Sequence, residues 1–172
     1  MDTRKTVHMG MLVALAMILS FIESQIPAFV AIPGIKVGLA NIAVIFALYK
    51  FGFREALAVS VIRVVLSSLL FGSVLSMVYS LAGALISLAG MTLLLRTSFF
   101  GTMGVSVAGA LLHNLGQTAV AWIILGNRAV VYYLPFLLIS AVAGGMVTGL
   151  AATFLIRYTD GGSEDGQRAH HG

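Results

Sequence analysis

The chain has 172 residues, of which 59% are hydrophobic and only 9% charged, and its mean hydropathy is +1.03, a balance that excludes an ordinary water-soluble domain. Its formal net charge of +4 comes from basic residues set singly at the ends of apolar runs, which marks membrane topology and excludes the clustered basic face of a nucleic-acid binder. Cysteine is absent, so disulfides, cysteine-type zinc sites and thiol chemistry are excluded too. At about 20 residues per span, the length holds six helices with short connections and no second domain. The composition therefore predicts an all-α integral membrane protein: a six-transmembrane-helix bundle over residues 1–158, then a polar, glycine-rich tail, 159–172, read as disordered.

In chain order, Arg4 and Lys5 precede an apolar run from Val7 to Ile22 that ends at Glu23. Charge and length resemble a signal peptide, but residues 24–31 offer no small-x-small cleavage site, so helix one is read as retained. Gly10 and Ala14 stand four apart in its first half. They give a face on which another helix can lie closely, either within the same bundle or from a partner.

The connection 24–34 is apolar and contains Pro27 and Pro33; it is expected to fold back over the bundle as a lid. Helix two then runs from about Ile35 to Lys50, roughly 24 Å against a hydrocarbon core of about 30 Å. A short helix with a broken beginning is one pointer to a transporter binding site. With Pro33 and Gly34 breaking the backbone, the first N–H groups of this helix lack intrahelical partners and attract anions. Lys36 adds a positive charge to that first turn; it either receives an anion or snorkels to the headgroups.

Phe51 to Glu55 forms a turn into helix three, from about Ala56 to Phe71, with Arg63 in its middle. An arginine at that depth costs about 2.5 kcal/mol or more, so it must face protein or water. Ser60 and Ser67 lie on the same side and make a polar stripe. The guanidinium is a permanent cation with a fork of donors, suited to carboxylate or phosphate, or it locks the bundle by pairing with helix carbonyls or Glu23. Helix four extends from about Val74 to Leu95, with Ser80, Gly83, Ser87 and Gly90 as a packing seam.

Helix five, from about Met103 to Leu125, contains the most polar intramembrane stretch, His113-Asn114-Leu115-Gly116-Gln117. His113 and Gln117 share one face, roughly 15 Å from the helix start and near the depth of Arg63. They serve either a ligand or interhelical hydrogen bonds. After Tyr132, Tyr133 and Pro135, helix six continues to about Ile156 with two adjacent rows of small residues, Ser140/Gly144/Thr148/Ala152 and Ala141/Gly145/Gly149/Thr153. Counting loop Lys and Arg, seven fall on one side (Arg4, Lys5, Lys50, Arg54, Arg96, Arg157, Arg168) and two on the other (Lys36, Arg128). That bias predicts both termini in the cytoplasm, with the protein in the cell membrane.

No aspartate-rich diphosphate motif, P-loop, HExxH or serine elbow is present, so no catalytic residue, cofactor or metal site is read from the chain. His170 and His171 are read as part of a terminal remnant.

The blocks Pro33-Gly34-Ile35-Lys36-Val37-Gly38-Leu39-Ala40-Asn41, Phe51-Gly52-Phe53-Arg54-Glu55-Ala56 with Arg63 and Leu70-Phe71-Gly72, His113-Asn114-Leu115-Gly116-Gln117, and Tyr132-Tyr133-Leu134-Pro135 resemble, in that order, the Gx transporter family, also named heptaprenyl diphosphate synthase component I. That family in turn looks like the substrate-binding S components of energy-coupling factor importers. The resemblance implies six helices, a binding pocket on the outer side covered by the first loop, and a small-xxx-small docking face on helix one, here Gly10 and Ala14. It implies as partners a coupling membrane subunit and ATPase subunits, alongside membrane lipid and a small-molecule substrate, and no nucleic acid. Lys36, Asn41, Arg63, His113, Asn114 and Gln117 are the expected substrate-binding residues, for a small anionic or amphipathic molecule. The alternative is a membrane accessory component of polyprenyl diphosphate synthesis, which without a catalytic motif assists a separate enzyme.

Overall fold

The computed structural model describes residues 3–25, 38–97, 99–126 and 129–168. Lys36, Arg128, the histidines at 170 and 171 and residues 26–34 of the lid expected over 24–34 therefore lie outside the described residues, and the first two residues of that connection, Ser24 and Gln25, belong to the first helix. Every element among the described residues is helical: α1 (Thr3–Gln25), α2 (Asn41–Lys50), α3 (Phe53–Phe71), α4 (Val74–Arg96), α5 (Thr102–Leu125), a four-residue α6 (Ala129–Tyr132) and α7 (Leu134–Arg168).

Four of these, α1, α4, α5 and α7, are long and apolar enough to cross a membrane, which makes the chain a multi-pass membrane protein. Helix α3 has 19 residues, enough for a span by length, but it brings Arg54, Glu55 and Arg63 with it. Helix α2 has only 10 residues, about 15 Å, half the hydrocarbon thickness.

The start of α2 corrects the expectation of a helix from Ile35. Gly38 takes φ +77°, a left-handed conformation that glycine adopts without strain and that breaks a right-handed helix. The Asn41 and Ile42 N–H groups then donate to the Gly38 and Leu39 carbonyls at 2.8 and 3.1 Å, a tight turn that delays the helix to Asn41.

Other boundaries have local causes. Gly52, at φ +99°, ends the α2–α3 turn, and α3 begins at Phe53. Glu55 lies in the first turn of α3, where its charge complements the helix dipole, and it pairs with Lys5 of α1. Ser73 and Ser76 exchange side-chain-to-backbone hydrogen bonds, both 3.1 Å, in a capping box at the head of α4. Helix α7 continues to Arg168, through residues whose composition reads as an irregular tail. Two contacts support the beginning of that extension. The Thr159 hydroxyl donates to Ile156 O at 2.8 Å, and Asp160 pairs with Lys50 at the end of α2.

Helix α5 packs most extensively, against α4 on one side and α7 on the other, while α3 bridges α1 and α4. The small-residue seams read from the sequence are where these helices meet. A methyl group added at Gly83 of α4 would sit 2.6 Å from the His113 carbonyl of α5, and one at Gly145 of α7 would sit 2.7 Å from the Val107 Cα. Backbones this close require glycine. Between α5 and α7 the Ser106 and Thr148 hydroxyls meet at 3.0 Å, fully inside the protein.

The short α2 is enclosed by α1, α3 and α7. Its Ala43, Val44, Ile45 and Ala47 are at most 1% exposed and form one core with Leu88, Met91 and Val105. The core thus fills the half of the bundle that α2 reaches.

Candidate functional site

Where α2 stops short, the bundle holds a cavity of about 320 Å³. Asn41 and Gly38, at the α2 end, line it together with residues of α1, α3, α4, α5 and α7. Phe71 and Gly72 also line it, which places it in the half of the bundle that contains the end of α3 and the head of α4. The ion pairs of Lys5 with Glu55 and of Lys50 with Asp160 mark the opposite end.

Four helices each contribute a polar pair spaced by four residues: Ser20/Ser24 on α1, Arg63/Ser67 on α3, Ser76/Ser80 on α4 and His113/Gln117 on α5. One turn of helix carries each pair onto a single face. Thr148, from the small-residue row of α7, adds a further hydroxyl.

Five of the six residues singled out in the sequence, Asn41, Arg63, His113, Asn114 and Gln117, line this one cavity. The sixth, Lys36, is outside the described residues. Ser60, read as part of the Arg63 stripe, is 3% exposed and takes no part in the lining; it lies a turn nearer the start of α3, on the side filled by the core. Missing from the sequence reading as wall residues were Glu23 and the serines of α1 and α4. The signal for them was the same four-residue spacing, with Glu23 three positions after Ser20.

The Glu23 Oε1 accepts the Gly38 N–H at 2.6 Å, so this carboxylate ties the end of α1 to the turn before α2. The Asn114 side-chain amide donates to the Leu137 carbonyl of α7 at 2.7 Å, an interhelical bond that fixes one wall.

Arg63 is the charged side chain of the cavity wall with an unused buried donor. Its Nε is buried and has no hydrogen-bond partner among the described residues. The Glu23 charge acts on it, with no ion pair between the two side chains. A buried polar atom is almost always bonded in a folded protein, so an unpartnered one calls for an explanation. A ligand that supplies the missing acceptor is the simplest.

The Gly10 and Ala14 face of α1 is exposed. Nothing among the described residues lies within 4 Å of a methyl group built on Gly10, so none of them packs on this small-residue face.

The family model for heptaprenyl diphosphate synthase component I matches residues 12–155. The chain belongs to that family. The matched span contains every described residue that lines the cavity, from Ser20 to Thr148. No curated protein and no solved structure matches the chain.

Proposed function

We propose that the protein is the membrane-embedded capture subunit of an importer, an S component of the energy-coupling factor type, which holds a small anionic or amphipathic molecule in the cavity above α2. The observation that carries this reading is that Arg63 lines a polar cavity of about 320 Å³ while its buried Nε has no hydrogen-bond partner among the described residues. That volume lies at the small end of ligand sites, which run from about 300 to 1,000 Å³. Asn41, His113, Asn114 and Gln117 complete the binding set among the described residues. Both termini lie in the cytoplasm in this reading and the cavity faces the outside. The exposed Gly10 and Ala14 face is the docking surface for a coupling membrane subunit, with ATPase subunits supplying the energy.

Native mass spectrometry of the detergent-purified full chain tests this directly. A co-purified small molecule is expected; folded protein that is consistently empty, and remains so after incubation with cell extract, counts against capture.

The family description favours a second reading, a non-catalytic membrane component of polyprenyl diphosphate synthesis. It predicts that prenyltransferase activity of a reconstituted pair drops when this chain is omitted. Unchanged activity removes it. The polar lining speaks for the importer, because a long isoprenoid chain gains little from walls of serine, asparagine and glutamine.

A further inference from the structure

We infer that the ligand of this cavity is a zwitterion, a compact molecule carrying a carboxylate for Arg63 and a protonated amine for the Glu23 side, rather than a net anion such as a diphosphate. The inference rests on the capture reading above and narrows its substrate class.

The charges on the wall come first. Among the described residues the cavity is lined by one permanent cation, Arg63, and one acidic residue, Glu23. Arg63 lies eight residues before the end of α3 and Glu23 two before the end of α1, which puts them about 12 and 3 Å below their helix ends. The cation is therefore deep and the carboxylate shallow. A diphosphate on Arg63 would bring surplus negative charge into a low-dielectric space shared with Glu23, where like charges repel strongly. A ligand with both signs meets a partner at each end.

The hydroxyls point the same way. Ser24 donates its proton to Phe21 O at 2.7 Å, Ser67 to Val64 O at 3.3 Å and Ser76 to Ser73 O at 2.9 Å. Thr148 donates to Gly144 O at 2.9 Å. A hydroxyl has one proton and two lone pairs; with their protons committed to helix carbonyls, and with Ser24, Ser76 and Thr148 each accepting once, from Gln25 Nε2, the Ser73 N–H and the Ser106 hydroxyl, these four groups keep only acceptor lone pairs for the cavity. Glu23 adds more, since its bond from Gly38 uses only one of roughly four lone-pair sites on a carboxylate. A wall rich in acceptors and supplied with one deep cation suits an N–H donor group above and a carboxylate below.

The test uses the full chain in detergent and a defined set of probes: free α- and ω-amino carboxylic acids, the des-amino acid matched to each, and inorganic diphosphate. Binding is followed by thermal shift and calorimetry. At least one amino acid is expected to bind, with its des-amino partner about ten-fold or more weaker. Glu23→Gln keeps an acceptor for Gly38 and is expected to bring that pair within about two-fold. Des-amino acids or diphosphate binding as tightly as any amino acid would overturn the inference, as would an amine preference that survives in Glu23→Gln. Should the variant fail to fold, the wild-type comparison decides alone. A wild-type protein that carries a co-purified molecule yet binds no zwitterion of the set overturns the inference and leaves capture standing. A folded, empty protein that binds nothing overturns both.

Discussion

Arg63→Gln is expected to lower ligand retention by about 100-fold, near 2.7 kcal/mol, while leaving the ligand-free protein at least as stable as wild type. The two halves of that result have one cause. The guanidinium Nε is buried without a partner among the described residues, so the empty protein bears its desolvation and recovers it when an anionic group arrives. Truncating one member of a buried, hydrogen-bonded charge pair costs about 2–5 kcal/mol in binding, and glutamine cannot supply the charge. Native mass spectrometry gives the retained fraction and thermal unfolding of the stripped protein gives stability. A marked loss of stability with retention unchanged would make Arg63 a bundle lock and remove it from the site.

Gly145→Leu is expected to be the most destabilising of the single substitutions considered, at about 3 kcal/mol, the upper end for overpacking. The obstacle is backbone: even a methyl group there would lie 2.7 Å from the Val107 Cα and 3.2 Å from its nitrogen, and neither can turn aside as a flexible side chain does. Helices α5 and α7 must separate, and the Ser106–Thr148 contact at 3.0 Å goes with them. Gly10→Leu is the matched control, because its surroundings are open, and its effect on the isolated chain is expected within about 0.5 kcal/mol. Reversible unfolding in detergent compares the two. If Gly10→Leu instead abolishes co-purification of a coupling complex, the loss belongs to the partner interface.

Much of this arrangement can be read from the residues, and the exceptions have physical reasons. Long apolar runs bounded by charges locate α1, α4, α5 and the beginning of α7 to within a few residues, because a bilayer demands length and apolarity whatever the packing, whereas the polar continuation of α7 to Arg168 has no such signal. Polar residues inside such runs are expensive, which is why Arg63, His113, Asn114 and Gln117 could be singled out and why they line one cavity. The start of α2 was misplaced because Gly38 also fits a helix; its left-handed φ of +77° is a choice made by the surrounding turn. Serines were overlooked for a different reason. A lone serine is ordinary in a membrane helix, where it can bond to its own backbone, so Ser20, Ser24, Ser76 and Ser80 gain meaning only once the fold brings α1 and α4 to one cavity. Glu23 looked like an interfacial charge, and only the fold shows its carboxylate on Gly38.

The brevity of α2 has an electrical consequence. Ten residues cover about half the bilayer, so in the proposed importer, with the voltage falling evenly across the membrane, a molecule resting on Asn41 would have crossed about half of it. Moving a unit charge across the full drop is worth about 2.3 kcal/mol per 100 mV, hence roughly half that at the cavity floor. A net anion would load more or less tightly as the cell's potential rose and fell, whereas a cargo with balanced charges would fill the site to the same extent in a resting and a fully energised cell.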